Sequence, residues 1–152
     1  QIYERDGKLT DREFARQRLA GQNPMVVRRV KLDNLYQVPL QTWATHPCLL
    51  ANGDAVDLNQ AASEHRLFVT TYELLESLAP SDLQPGRYVG SPKALFYRAD
   101  SGLEPILIQL ERGQLITPAS GADAWMRAKL WVQTADVTRH ELIDHLCDTH
   151  LR

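Results

Sequence analysis

The chain has 152 residues, of which 43% are hydrophobic and 24% are charged, and its formal net charge is −2. This length and composition fit one globular domain and argue against a disordered or fibrous protein. The slightly negative charge offers no basic stripe, so we predict no nucleic-acid partner. No apolar run approaches the roughly 20 residues of a membrane span. Two cysteines, Cys48 and Cys147, are too few for a disulfide framework and favour a reducing, cytoplasmic compartment.

The first predicted element is a short helix. Thr10 and Glu13 have the spacing of a capping box, and the helix should run to about Ala20, with Gly21 as its stop. Residues 25–30 follow as a β-prone run.

Residues 31–57 are predicted to be mostly loop, with one helical turn near residues 40–45. Asp57 can cap a short helix that extends through His65. The next run, residues 66–71, has the β-branched and aromatic composition of a strand. These signals are local, and they do not say how the elements pack.

Residues 72–78 have a helical pattern. Two apolar runs, residues 94–98 and 105–110, then flank a turn that ends in Gly102, and this arrangement predicts a β-hairpin.

The longest periodic segment begins at Asp123, which we predict to be its N-cap. Apolar residues recur at helical spacing and predict a buried stripe, and two further apolar residues widen it. The stripe consists of Trp125, Ala128, Val132 and Ala135, and the two widening residues are Leu130 and Trp131. A helix of more than about 25 residues that is apolar nearly all round suits the centre of a larger structure.

Three of the five histidines, His140, His145 and His150, are spaced five residues apart near the end of this helix. On a regular α-helix, residues five apart lie about 140° from each other and cannot share a metal ion at about 2.1 Å. A wider turn with i→i+5 hydrogen bonds reduces that angle to about 50°, and such turns occur mostly at functional sites. The segment is therefore either a helix with scattered surface histidines or a bulged helix that aims two or three imidazoles at one point.

Residues 125–132, Asp136 and residues 140–151 resemble the central helix of lipoxygenases, particularly the animal-type branch. Residues 14–24 resemble the arched helix and Asn-Pro of that family, and residues 67–75 resemble its segment leading into the small sheet region. The resemblance runs from about residue 9 to the end. It implies a mainly α fold with a minor β-sheet region, ending in a long central helix with a π-bulge.

In domain terms, the resemblance makes residues 1–152 a partial lipoxygenase catalytic domain, truncated at both ends and without the lipid-binding β-barrel. The implied function is that of a non-haem iron dioxygenase, which inserts O2 into polyunsaturated fatty acids to give hydroperoxides. The implied partners are a polyunsaturated fatty acid and O2, with peripheral membrane contact.

The family motif makes His145 and His150 the iron ligands and places His140 near the iron without ligating it. Glu141 occupies a position that is Gln in many members, where it can orient a ligand. A solvated helix carboxylate is the alternative for Glu141. The rest of the family's iron site is a third histidine, often an Asn, and the carboxylate of a C-terminal Ile, all downstream of Arg152. We therefore expect this chain alone to bind metal weakly and not to turn over substrate.

Val137, Leu146 and Leu151 match positions that line the fatty-acid channel in this family, although each could equally be core. In some members two aromatics, at Phe14 and four residues on, plug the channel mouth. Here the second is Arg18. The resemblance suggests that Arg18 pairs with the substrate carboxylate while Phe14 packs against the chain, and a surface arginine is the alternative.

Two other functions remain open. One is a truncated, non-catalytic remnant that acts as a binding or interaction module. The other is an unrelated helical protein in which His140, His145 and His150 bind zinc.

Overall fold

An antiparallel sheet organises the fold of the computed structural model, which describes residues 9–31, 38–86 and 88–151. Its five strands pair in the order in which they occur along the chain. Their bounds are β1 Val27–Arg29, β2 Leu67–Thr71, β3 Lys93–Ala99, β4 Gly102–Gln109 and β5 Leu115–Ile116. The sheet is a full layer of the structure, so the expected mainly α fold with a minor sheet region is not supported. Short strands that look isolated in the sequence join into one surface.

The predicted hairpin is confirmed as β3 and β4, with Ala99 opposite Gly102 across the turn. Gly102 has a φ of +125°, which a side chain would strain. The register shifts between Leu95 and Phe96. The shift lies beside Pro105, which cannot donate a ladder hydrogen bond and is tolerated at such an irregularity.

The two faces of the sheet pack into two separate cores, because successive side chains of a strand point to opposite faces. One core, which includes Phe96 and Ile108, contacts the first helix and the long C-terminal helix. The other, which includes Leu95 and Leu107, contacts residues of the 38–62 region. The sheet therefore holds the long helix on one side while the loop region covers the other.

The first helix, α1, spans Asp11–Ala20 and confirms the prediction. Its cap is Thr10, whose Oγ1 accepts a hydrogen bond from the Glu13 backbone N–H at 3.2 Å. The Glu13 carboxylate accepts two hydrogen bonds from the Arg16 guanidinium, each of 2.8 Å. The hydrogen bond from Arg16 is the main cause that holds the pKa of Glu13 below its ordinary value.

Gly21 ends α1 for a steric reason and not for a left-handed backbone, since its φ is −92°. A Cβ at this position would lie only 2.2 Å from the Gln17 carbonyl oxygen. We expect Gly21→Ala to lower the free energy of unfolding by about 1–3 kcal/mol, because the backbone must shift to admit the methyl group. Urea denaturation measures this change, and an effect below about 0.5 kcal/mol would contradict the steric explanation.

The middle of the chain contains two short helices, α2 Leu40–Trp43 and α3 Leu58–Ser63. Both were expected, and Asp57 caps α3 by accepting hydrogen bonds from the N–H groups of Asn59 and Gln60. The predicted loop at residues 32–37 lies outside the described residues. The helical pattern at residues 72–78 forms a 3₁₀ segment, Glu73–Ser77.

The long helix, α4, spans Ala122–Arg139 and continues as a π-helix over His140–His150. Its N-cap is Gly121, so the prediction of Asp123 was wrong. The positive φ of Gly121, +97°, separates a preceding 3₁₀ turn from α4 and lets the helix begin earlier. None of the helices in the described part of the chain has the length and apolar character needed to cross a membrane.

The predicted stripe of α4 is confirmed, because all four of its residues are buried. The two residues expected to widen that stripe, Leu130 and Trp131, are instead exposed by 47% and 38%. The sheet covers one side of α4, and the opposite side presents apolar residues at the surface of the described chain.

Candidate metal centre

The π-helix changes how the histidines are arranged. The His140 N–H donates to the carbonyl oxygens of Asp136 and Val137 at the end of α4, and the wider helix runs from there. The resemblance to lipoxygenases implied a π-bulge here, and the structure has an eleven-residue π-helix. Residues five apart consequently lie close together along one side.

His145 and His150 turn the same ring nitrogen toward each other. Their Nε2 atoms are 3.1 Å apart, and their ring centroids are 4.8 Å apart with the planes inclined by 62°. Two ligand nitrogens at a right angle, each about 2.1 Å from one ion, would be about 3.0 Å apart. The pair therefore fits adjacent positions on a single metal ion. The same 3.1 Å also fits a hydrogen bond in which one Nε2 donates a proton to the other, so the geometry suits either a shared proton or a shared cation.

Glu141 contacts the imidazole of His145 on the side that faces away from His150. Its Oε2 lies 3.4 Å from Nδ1 of His145. A carboxylate near Nδ1 favours a proton on that nitrogen and leaves Nε2 free to bind a metal. The Glu141 side chain is 55% exposed, so it is also solvated, and its orienting role stays a prediction.

His140 lies beside the pair without facing it. Its ring stacks on His145 with centroids 5.9 Å apart and an interplanar angle of 12°. Its Nδ1 is buried and has no hydrogen-bond partner in the described part of the chain. Within the same ranges, no group of three or more His, Cys, Asp or Glu side chains is placed to hold a metal ion. The described chain thus brings together a pair and not a complete ligand set.

Arg18 is not at the surface, since only 1% of it is exposed. Its Nη2 lies 3.3 Å from Asp136 Oδ2 and donates to Gln133 Oε1 at 2.7 Å. Its guanidinium also stacks over Phe14, 5.2 Å from the ring centre. The surface alternative is therefore wrong. The hypothesis of substrate-carboxylate binding is also not supported, because a buried carboxylate of α4 already faces this cation.

Phe14 is fully buried and stacks on Phe96 of the sheet, with centroids 5.7 Å apart. It packs α1 against β3, so its contacts in this structure are those of a core residue. The expected role of Phe14 at a channel mouth has no support from this packing.

The family model described as Lipoxygenase matches residues 2–152. The chain belongs to the lipoxygenase family. Putative lipoxygenase 5 of Oryza sativa subsp. japonica is 30% identical over 165 residues, covering 93% of this chain and 18% of that protein. Seed linoleate 9S-lipoxygenase of Glycine max is 28% identical over 172 residues, covering 96% of this chain and 20% of that protein. The chain spans about a fifth of the length of these curated relatives.

Solved structures give the same result at the level of the fold. A crystal structure of a LOX variant matches with a TM-score of 0.68 and 26% identity, covering 93% of this chain and 23% of that chain. A fungal lipoxygenase from Fusarium graminearum matches with a TM-score of 0.64 and 21% identity, covering 98% of this chain and 27% of that chain. The animal-type branch expected from the motif is not confirmed, since the curated relatives reported above are plant lipoxygenases.

The three apolar residues expected to line the lipoxygenase channel are all exposed in the described chain. They are Val137 at the end of α4, Leu146 between the two facing histidines, and Leu151 just after the π-helix. Their alternative role as plain core is not what this structure shows. Their role in binding substrate stays a prediction.

Sequence reasoning missed the buried partners of Arg18, although one signal was available. Asp136 lies four residues after Val132, on the side of α4 that the apolar stripe predicts to be buried. A charged residue on a buried stripe needs an opposite charge and hydrogen bonds. Lys129 follows the same rule, because it is buried on α4 and forms an ion pair with Asp11 at 2.6 Å.

Proposed function

We propose that this chain contributes His145 and His150 as two iron ligands of a non-haem iron dioxygenase. The enzyme would insert O2 into polyunsaturated fatty acids to give hydroperoxides. The observation that carries the proposal is the 3.1 Å approach of the two Nε2 atoms on the π-helix of a lipoxygenase-family chain. The linoleate named in the Glycine max relative supports the substrate class.

In this proposal the two imidazoles are neutral, and each directs the lone pair of Nε2 to the metal. Glu141 holds His145 in the required orientation through Nδ1. Iron, when bound, supplies the one-electron chemistry that removes hydrogen from the methylene between two double bonds and allows O2 to add. Two nitrogen ligands leave most of the coordination sphere to other groups, so we expect the 152-residue chain alone to bind iron weakly and to be inactive.

Val137, Leu146 and Leu151 would contact the hydrocarbon chain of the substrate. They are exposed apolar residues, of which Val137 precedes the two facing histidines along the chain, Leu146 lies between them and Leu151 follows them. Burying them against an acyl chain is favourable, at about 25 cal/mol for each Å² of apolar surface removed from water. Peripheral membrane contact and a cytoplasmic location remain predictions.

The metal proposal predicts that His145→Ala and His150→Ala each weaken Co²⁺ binding to the chain by about tenfold or more, because either change leaves a single imidazole. Co²⁺ serves as a spectroscopic substitute for Fe²⁺, and its visible absorption gives the dissociation constant. His46→Ala is the matched control. His46 is an exposed histidine after α2, and its ring nitrogen contacts only the Thr45 hydroxyl among the interactions described.

Equal weakening by His46→Ala would contradict the assignment of the pair. Activity is tested separately on the full-length protein that carries this chain, by the ultraviolet absorbance of the conjugated diene formed from linoleate. Stoichiometric zinc together with no diene would overturn the dioxygenase. Absence of both stoichiometric metal and diene formation would favour the non-catalytic module, because a truncated remnant lacks the other iron ligands.

A further inference from the structure

A buried polar cluster joins α1 to α4 close to the histidine segment. Arg18 comes from α1, Gln133 and Asp136 come from α4, and Tyr72 directly follows β2. The side chains of Arg18 and Asp136 are 0% and 5% exposed. The Tyr72 hydroxyl donates to Asp136 Oδ1 at 3.0 Å and accepts from Arg18 Nη1 at 3.4 Å.

The cluster fixes α4 at the turn where the α-helix becomes a π-helix. Asp136 holds Arg18 and Tyr72 with its side chain, and its backbone carbonyl accepts the N–H of His140, the first residue of the π-helix. Asp136 is therefore common to the buried cluster and to the hydrogen bonds that start the histidine segment.

The contacts of the Asp136 carboxylate are directional, so they restrain the rotation of α4 about its axis as well as its distance from α1. Oδ1 of Asp136 must face the Tyr72 hydroxyl while Oδ2 faces Arg18. Buried charges held in this way are best documented as devices that set register, and less so as sources of stability. A rotation of α4 about its axis would break both contacts at once. The same rotation would change where the following histidines point.

We infer that Arg18 is a positioning residue for the histidine pair, which acts through Asp136 to hold the start of the π-helix at a fixed rotation. The inference that Arg18 serves an iron site rests on the proposed function, but its effect on the π-helix does not. Arg18 itself contacts neither His145 nor His150 among the described interactions. Its effect is transmitted by the backbone of α4.

The test is amide hydrogen exchange, measured by mass spectrometry on the full chain with and without Arg18→Met. In Arg18→Met we expect amide exchange within residues 140–150 to become about tenfold faster or more. Co²⁺ affinity should fall by a similar factor in the same variant. Arg18→Lys restores the positive charge and should recover part of the protection. Arg16→Met, on the exposed side of the same helix, is the matched control and should change neither quantity.

Tyr72→Phe gives a milder perturbation if Arg18→Met does not fold, because it removes one hydroxyl and retains both charges. It should accelerate exchange in residues 140–150 by a smaller factor than Arg18→Met and leave exchange in the β3–β4 hairpin nearly unchanged. Arg18→Met is expected to destabilise the whole fold, and global opening then accelerates the hairpin amides as well, so Tyr72→Phe is the decisive comparison. The inference is overturned if Tyr72→Phe accelerates exchange in the hairpin and in residues 140–150 by the same factor, which is the result for a purely structural role. Failure of the proposed function gives a different result. In that case His145→Ala would leave the Co²⁺ affinity unchanged, both in the native chain and in the Arg18 variants.

Discussion

Arg18→Met should lower the free energy of unfolding by about 3–5 kcal/mol at pH 7, one of the largest effects expected from a single change in this chain. The methionine fills much of the volume of the arginine but leaves the Asp136 carboxylate buried without a cation. The remaining hydrogen bond from Tyr72 cannot replace the lost charge. Removing one partner of a buried pair costs more than the pair itself contributes, since the other charge stays desolvated.

The penalty should also depend on pH, with a definite sign. Burial raises the pKa of Asp136 in the folded chain, and Arg18 is the main group that opposes this rise, followed by Tyr72, His140 and Arg139. Without Arg18 the folded-state pKa rises further above the unfolded value of about 3.9. A carboxyl group with a raised folded pKa favours the folded state when protonated, so stability is lost as pH rises through the folded pKa. The penalty should therefore be small near pH 4 and grow at higher pH.

Urea unfolding of the native chain and of Arg18→Met at several pH values between 4 and 7 measures this dependence. The double variant Arg18→Met/Asp136→Asn carries no buried charge at this position, so its stability relative to the native chain should vary much less with pH. It should also be more stable than Arg18→Met at pH 7. A penalty for Arg18→Met that is constant across the range would show that Asp136 is not the uncompensated charge.

The elements that the sequence predicted well are those whose causes lie within a few residues. Thr10 caps α1, Asp57 caps α3 and Gly102 closes the hairpin, each through contacts that span at most a few positions. The buried stripe of α4 was also predictable, because helical periodicity repeats over several turns. The π-helix was foreseen only in part. The spacing of the histidines calls for a wider turn only if two imidazoles share a metal ion, and the resemblance to lipoxygenases implied a bulge without saying how far it extends.

What the sequence did not predict depends on contacts between distant residues. Nothing in the local pattern near Arg18 identifies Gln133, which lies 115 positions away, or Tyr72, which lies 54 positions away. The same limit applies to the sheet, whose strands were recognised separately but whose joining into a single layer depends on pairing between segments far apart. The start of α4 was missed for a different, local reason, because it depends on the positive φ of Gly121.

Trp43→Ala should cost about 3–5 kcal/mol of unfolding free energy, because it opens a cavity in the second core. Trp43 is 0% exposed and packs beneath the face of the sheet that includes Leu95 and Leu107. Its indole Nε1 donates to Gln109 Oε1 on β4 at 2.8 Å. One residue of α2 therefore anchors a region that sequence patterns describe mainly as loop.

Trp131→Ala is the matched control, since the two tryptophans differ mainly in burial. Trp131 also donates its Nε1 to a side chain, Glu111 Oε1 at 2.9 Å, but it is 38% exposed. Its removal should cost roughly 1 kcal/mol. Trp43→Phe should fall between the two, because it keeps most of the buried area and loses the hydrogen bond to Gln109.

Thermal and urea unfolding of the three variants separate the two contributions at Trp43. A large loss for Trp43→Ala with a modest one for Trp43→Phe assigns the stabilisation to buried volume. Similar losses for the two assign it to the hydrogen bond with Gln109. Equal effects of Trp43→Ala and Trp131→Ala would contradict a closed core on this face, because a buried and an exposed tryptophan would then contribute alike. The sheet would in that case be held by the α1 and α4 side alone, the side that also carries the histidine helix.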